Sequence, residues 1–399
     1  MLGHSTATNL LDSLNDWTES LENNKAVKIL YTDFTKAFDL VSIPKLIYKL
    51  KNYGIVGNLL SCLKSFLTLR TQQVKVGTAI SDALTLSSGV PQGSVLGPLL
   101  FLLFINDLPS YIDQSVASKL FADDFKAYNL DDFRLNPGSI QSALDSLNNW
   151  ASDWQMELAI PKCGSLLLKS SKSIIDESDL ILSDSTLATF QTVLDLGVTI
   201  DVDLTFTSHI KTIVGKAKQR VYLILKSFQC RDIELLVVAF TTYIRPILEY
   251  CSVIWSPSRL GDIDLIEDVQ RYYTKRLSGL WDVSYTDRLL ICGLQSLELR
   301  RLIIDLVLVF KIVNNLVSLD FDRFFVFDTN RRTRGHNLKL SLPRCSKRAR
   351  QNFFSIRIIS AWNSLPIDCV NSPSAKTFKI RLGQLNLSLF LSRSTYDFD

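Results

Sequence analysis

Lys119-Leu-Phe-Ala-Asp-Asp-Phe-Lys-Ala-Tyr128 sets two adjacent carboxylates, Asp123 and Asp124, between apolar segments. A strand, a two-residue turn and a returning strand put both acids at a hairpin tip. Two bare anions side by side repel and gain nothing from packing, so a site that holds them usually holds a cation as well. Alone, the stretch reads equally well as a solvated Asp-Asp turn. Its neighbours tip the balance.

Upstream, residues 26–33 read as a strand ending on a third acid, Asp33. After Phe34-Thr-Lys-Ala-Phe-Asp39 comes Ser42-Ile-Pro44, an N-cap signal with proline in the first turn, and a helix closed by Gly54. A second amphipathic helix runs to about Arg70. Short strands near 72–76 and 83–87 are joined by a turn at Gly77. Ser88-Gly-Val-Pro-Gln-Gly-Ser-Val-Leu-Gly-Pro98 then leads into an apolar helix over 99–108. Such a loop lets backbone approach a ligand just before a helix N-terminus, although an ordinary glycine-rich connector is the plainer reading of it alone.

Downstream, residues 139–156 form an amphipathic helix, Pro161-Lys-Cys163 a loop, 165–168 a strand, and 192–200 a strand-rich segment about Gly197. Strands alternating with helices to about residue 200 imply an α/β or α+β sheet domain. From about 205 to 319 the pattern is helical, with helices near 208–228, 233–248, 262–277, 285–291 and 297–316 that pack as a bundle. Lys211, Lys216, Lys218 and Arg220 give the first of these a basic face, more often solvated than ligand-binding. Residues 1–25 carry Leu10, Leu11, Leu14, Trp17 and Leu21 at helical spacing, as if the chain began inside a helix.

At 399 residues and 47% hydrophobic content the chain can build two or three domains with a sizeable core. A net charge of +4 argues nothing about partners, but its distribution does. No acid lies between 329 and 367, where Arg331, Arg332, Arg334, Lys339, Arg344, Lys347, Arg348, Arg350 and Arg357 fall. Phe353, Phe354 and Trp362 interleave with them, the arginines suited to phosphates and the aromatics to a small core. Seven scattered cysteines without zinc-ligand spacing or a secretory leader fit a reducing compartment. The longest apolar run, 95–105, is too short to span a bilayer, so a soluble intracellular protein is expected.

Asp33 and Asp123-Asp124 each end a predicted strand, and three carboxylates converging on one sheet edge can hold two Mg²⁺ ions, with Mn²⁺ as a substitute. One ion would activate a 3′-hydroxyl and the other stabilise a pyrophosphate leaving group.

Tyr31-Thr-Asp-Phe-Thr-Lys-Ala-Phe-Asp39, the 88–98 loop continued through Leu-Leu-Phe101, and Phe121-Ala-Asp-Asp124 resemble, in order and separation, the first three palm motifs of reverse transcriptases. They are most similar to those of jockey-like non-long-terminal-repeat (LINE-type) retrotransposons. The resemblance continues through Ile160-Pro-Lys-Cys163, Asp195-Leu-Gly-Val198, Arg245-Pro-Ile-Leu-Glu-Tyr250, Trp255-Ser-Pro257, Thr333-Arg-Gly-His336 and Ala361-Trp-Asn-Ser-Leu-Pro366. It implies an α+β right-hand polymerase with a ferredoxin-like antiparallel palm sheet. The divisions would be a fingers remnant over 1–25, palm over 26–203, helical thumb over 204–319 and a basic region over 320–399.

The resemblance also implies roles. Asp33 and Asp123 match the principal metal ligands, Asp124 the supporting carboxylate, and the Phe34 carbonyl completes a metal shell. Phe38 matches the bulky residue under the incoming sugar, which would clash with a ribose 2′-OH. Gln92 and Gly93 match the loop that positions template and incoming base. Lys162 matches a lysine near the pyrophosphate, a candidate general acid. Leu196-Gly197 matches the turn that holds the primer end. Phe38 and Leu196 read equally as core, and Lys162 as a surface charge. Expected partners are an RNA template, a DNA primer and deoxynucleoside triphosphates, with no membrane, and the element's life cycle implies a nuclear location. Arg331, Arg332, Arg334, Arg344, Lys347, Arg348 and Arg350 are the expected nucleic-acid contacts of the basic region.

Two departures stand out. Only Gly3-His-Ser-Thr-Ala-Thr-Asn-Leu10 resembles the family's fingers, and the upstream endonuclease is not found. The competing expectation is therefore a truncated, inactive nucleic-acid-binding remnant.

Overall fold

The computed structural model describes residues 3–169, 179–328 and 335–392; Arg331, Arg332 and Arg334 lie outside the described residues. Two compact units result: Asn24–Gln191, and Met1–Asn23 together with Thr192–Asp399.

In chain order, α1 (Thr6–Glu22) opens the second unit. Ser5 caps it: its hydroxyl accepts from the Thr8 amide while the Thr8 hydroxyl accepts from the Ser5 amide. The helix thus starts at a proper cap, not mid-turn as its spacing suggested. Leu10, Leu11, Leu14 and Trp17 are buried on one face of it.

The first unit begins with β1 (Val27–Thr32), buried along its whole length as the central strand of a five-stranded sheet. After it come α2 (Ala37–Leu40), α3 (Ile43–Asn52) and α4 (Gly57–Leu67). Gly54 takes φ +82 just past α3, the left-handed conformation its position predicts. Ser42 sits at the N-cap of α3, but its side chain does not cap. The expected pair of strands is instead two short ladders: β2 (Thr71–Gln72) with β5 (Leu84–Thr85), and β3 (Lys75–Val76) with β4 (Ala79–Ile80) around Gly77.

The apolar helix α5 (Leu96–Ile105) starts earlier than its sequence suggests, because Pro98 is tolerated in a first turn. The hairpin β6 (Val116–Phe121) and β7 (Asp124–Asn129), then α6 (Ser139–Trp154) and β8 (Gly164–Leu168), complete the main elements. A small ladder of β9 (Ile181–Leu182) and β10 (Ser185–Thr186) precedes β11 (Ala188–Phe190). The sheet order is β11-β8-β1-β7-β6, antiparallel except for the β11–β8 pair. This is the α+β arrangement the strand and helix alternation implied.

Beneath the sheet, Leu30, Phe34, Leu46, Phe101, Phe104, Leu144 and Trp150 share one core. Truncating a residue such as Trp150, fully buried, to alanine costs about 3–5 kcal/mol. Lys49 is buried in this core. Its ammonium lies 2.5 Å from an Asp107 oxygen and 3.5 Å from the Trp154 ring centroid, and burial pulls its pKa down to about 8.

In the second unit, β12 (Thr192–Asp195) and β13 (Val198–Asp201) form a hairpin, followed by α7 (Thr207–Ser227). The long second helix of the sequence reading is two, α8 (Ile233–Tyr243) and α9 (Arg245–Glu249), since Pro246 cannot continue the ladder. Then come α10 (Ser252–Trp255), α11 (Leu260–Thr274), α12 (Tyr285–Cys292) and α13 (Leu297–Val313). Phe353, Phe354 and Trp362 are buried, as expected of core aromatics. Among the described residues no helix is long and apolar enough to cross a membrane, and all seven cysteines are free thiols.

Candidate active site

The β6–β7 hairpin closes with Phe121 paired to Asp124, so its two-residue loop is Ala122-Asp123. Ala122 adopts φ +54, which is uncommon for a residue with a side chain and turns Asp123 out at the tip. The expected picture needs one adjustment: Asp123 stands at the tip, while Asp124 is the first residue of β7. β1 runs antiparallel to β7 with Thr32 opposite Phe125, so Asp33, one residue on, comes level with Asp124. Backbone pairing alone brings the three acids to one edge.

Lys162 meets them there. Its ammonium donates to Asp33 Oδ2 at 2.6 Å. The Asp33 carboxylate, and behind it Asp123 and Asp124, raise the lysine pKa above its ordinary value. Lys162 is placed by the short turn Ile160–Lys162, which is anchored because the Ala159 amide donates to the Asp33 carbonyl at 2.8 Å. The same turn buries Cys163, whose thiol pKa burial pushes up.

The three carboxylates do not close around one point, contrary to the convergence expected of them. Among the described residues no three acidic, histidine or cysteine side chains form a ready metal cage. The donor set nonetheless fits a hard divalent ion. Mg²⁺ commonly takes only one or two protein carboxylates and completes its shell with water and substrate phosphates. Asp33 already binds a cation, since the Lys162 ammonium occupies one of its oxygens.

The 88–98 loop is stitched to the segment after Asp33. The Val90 amide donates to the Phe38 carbonyl at 2.9 Å, and the Gly89 amide to the Val41 carbonyl at 2.8 Å. The Ser88 hydroxyl donates to the Asp39 carbonyl, and the Gln92 amide group to the Asp39 carboxylate, both at 2.8 Å. Gly89 must be glycine here: at φ +83, a Cβ would lie 2.8 Å from the Asp39 carbonyl oxygen. Gly93, at φ +78, has open space where a side chain would be. Phe38 is half-buried and stacks on Phe101 with ring centroids 4.3 Å apart. Phe34 is buried against Trp150.

Asp33, Phe34, Phe38, Gln92, Gly93, Asp123, Asp124 and Lys162 all belong to the first unit. Leu196 and Gly197 belong to the second. They form the β12–β13 turn with φ +45 and +83. The Tyr250 hydroxyl donates to the Leu196 carbonyl at 2.9 Å, and its ring lies where a Gly197 Cβ would approach to 3.1 Å. The sequence gave no hint of Tyr250 as the clamp on this turn, nor of Asp39 as the anchor for Gln92. Only spatial pairing reveals either.

In the basic region, Arg344 and Arg348 are exposed and Lys347 half-buried. Arg350 corrects the expectation of a phosphate contact. It is largely buried, its guanidinium donates to Asn15 Oδ1 at 2.9 Å and Thr18 Oγ1 at 3.1 Å, and burial lowers its pKa. A run of cations in sequence does not say which of them turn inward.

Comparison with known proteins gives a family model, described as reverse transcriptase (RNA-dependent DNA polymerase), that matches residues 2–201. The RNA-directed DNA polymerase from mobile element jockey of Drosophila melanogaster is 28% identical over 70% of this chain and 31% of its own length. A probable RNA-directed DNA polymerase from transposon X-element of the same organism is 27% identical over 71% of this chain and 32% of its own length. The chain thus spans about a third of the length of these curated relatives. Apo telomerase from Candida Tropicalis aligns over 74% of this chain and 48% of its own at 12% identity and TM-score 0.41, a likeness too weak to build on.

Proposed function

This chain belongs to the reverse transcriptase (RNA-dependent DNA polymerase) family, and on that premise we propose that it extends a DNA primer on an RNA template, using deoxynucleoside triphosphates. The observation that carries the reading is the register of β1 against β7, which sets Asp33 beside the Asp123-Asp124 hairpin with Lys162 bridging to Asp33. In this reading Asn24–Gln191 supplies the palm, Thr192–Asp399 the thumb and basic region, and Met1–Asn23 what is left of the fingers.

Asp33 and Asp123 would hold divalent ions, Mg²⁺ or in its place Mn²⁺, with Asp124 and the Phe34 carbonyl in support. Such ions supply charge stabilisation for an attacking 3′-oxygen and a departing pyrophosphate. The chain's own residues do the rest. Lys162, held protonated by its carboxylate neighbours, carries the proton a pyrophosphate leaving group needs. Once a substrate-borne cation takes Asp33, the ammonium is released toward the leaving group. Phe38, fixed against Phe101, presents a ring edge that excludes a ribose 2′-OH. Gln92, tethered to Asp39, and the side-chain-free Gly93 offer a polar group and open backbone to a base pair. The Leu196-Gly197 turn, clamped by Tyr250, would hold the primer end. A nuclear site of action follows from the family's way of life.

The test is Mg²⁺-dependent deoxynucleotide incorporation on a primed RNA template, beside the Asp123→Asn, Asp124→Asn double variant. Incorporation that the variant abolishes supports the polymerase. Absence of incorporation in the parent chain, with salt-sensitive template binding retained, would sink it in favour of an inactive binding remnant.

A further inference from the structure

On the second unit, helices α7, α11 and α12 enclose an open groove of about 440 Å³. Lys218 enters from α7, Arg271, Lys275 and Arg276 from the end of α11, and Arg288 from α12. We infer that this groove is a nucleic-acid contact distinct from the carboxylate site, holding the phosphates of a single strand while Tyr272 packs against a base.

Charge balance points to an anion. Five cations line the groove with one carboxylate, Asp268, which is bonded to Arg271 at 2.8 Å. Lys218 and Lys275 have no ion-pair partner among the described residues. The negative end of the α11 dipole accounts for cations at its own C-terminus, namely Arg271, Lys275 and Arg276. It does not explain why α7 and α12 add two more. Unrelieved crowding of this kind costs folding energy unless a polyanion shares the space.

Shape and stacking point to nucleic acid over an acidic protein. Tyr272 is 46% exposed, and the Arg276 guanidinium lies over its ring, 3.2 Å from the centroid, which makes a charged aromatic platform. The same pairing recurs along α7, where Lys226 lies over the exposed Tyr222 at 5.6 Å. Lys211, Lys218, Tyr222 and Lys226 fall on one face of α7 at three- and four-residue steps. That face extends for about 22 Å at helical rise, room for a few nucleotides. Arg288, buried at the base, is held to the Arg271 carbonyl at 3.0 Å, so the cradle has a fixed floor.

The inference stands without polymerase chemistry, and binding alone tests it. Anisotropy of a fluorescent oligouridylate with the full chain gives affinity at several salt concentrations. Lys218→Ala, Lys275→Ala and Arg276→Ala together are expected to weaken binding about tenfold or more and to reduce the salt slope by about 2, since each single-strand phosphate contributes about 0.7. Lys218→Glu alone, on a different helix, checks the result should the triple variant unfold. Tyr272→Ala is expected to weaken the oligonucleotide but not inorganic polyphosphate, which has charge without bases. The Asp123→Asn, Asp124→Asn variant is expected to bind normally, so loss of polymerase activity leaves this result untouched. Parental affinity and slope in both groove variants would overturn the inference. So would polyphosphate binding as tightly as RNA with Tyr272→Ala silent, which would mark a general polyanion or acidic-protein surface.

Discussion

Lys162 and Asp33 hold each other across the sheet edge. If Lys162 delivers the proton to pyrophosphate, Lys162→Met lowers single-turnover incorporation about a hundredfold, within the usual range for a general acid, and leaves template affinity unchanged. An equal loss of affinity would make it a binding lysine instead. Phe38 sits on Phe101 with no freedom to withdraw. Phe38→Val is expected to raise ribonucleotide incorporation relative to deoxynucleotide about tenfold to hundredfold, read from competing triphosphates on one template. Arg350→Ala removes donors to Asn15 and Thr18 and is expected to destabilise the second unit by about 1–3 kcal/mol in a denaturant melt. If it is structural, the salt dependence of nucleic-acid binding will not move.

Among elements, α7 carries a pH-sensitive contact. His209 is buried beside Trp255, its Nδ1 accepts the Thr199 amide of β13 at 3.2 Å, and burial pulls its pKa down to about 4. The unfolded ring protonates near 6.5 and the folded ring only near 4, so between these values the unfolded state binds more protons. Stability is therefore full above pH 6.5 and falls as pH drops toward 4, by about 3 kcal/mol at most. His209→Asn, which keeps an acceptor near Nδ1 but does not titrate, is expected to flatten that part of the stability curve. An unchanged curve would assign the acid sensitivity to other groups. Strand identities, the acid at the end of β1 and the helical periodicity of α7 were all legible from spacing. The His209–Thr199 and Tyr250–Leu196 contacts were not, because neither partner carries a local signal for the other.

At the scale of the whole molecule, the second unit is discontinuous: α1 belongs with residues far down the chain. Arg323 forms ion pairs with Asp12 and Asp16, and Glu22 accepts the Ser346 and Lys347 amides. Removing residues 1–23 strips cover from that unit and is expected to lower its melting temperature sharply by calorimetry. A chain lacking them with an unaltered melting profile would show α1 to be dispensable. The amphipathic face of α1 could be read from Leu10, Leu14 and Trp17, but not what it covers. Likewise the hairpin Thr192–Asp201 continues the sheet-like pattern of the preceding residues, yet it clusters with the helices. Periodicity reports which face is apolar, not which distant surface meets it.

The ammonium on Asp33 has one more consequence. A carboxylate edge that carries its own counter-ion has no need of a borrowed one to stay folded. Thermal unfolding in excess chelator is accordingly expected to match that in Mg²⁺ for the parent chain, while Lys162→Met melts lower until the ion is restored. In that sense the lysine works as a resident placeholder, letting the fold wait, intact and idle, for the ions its substrate brings.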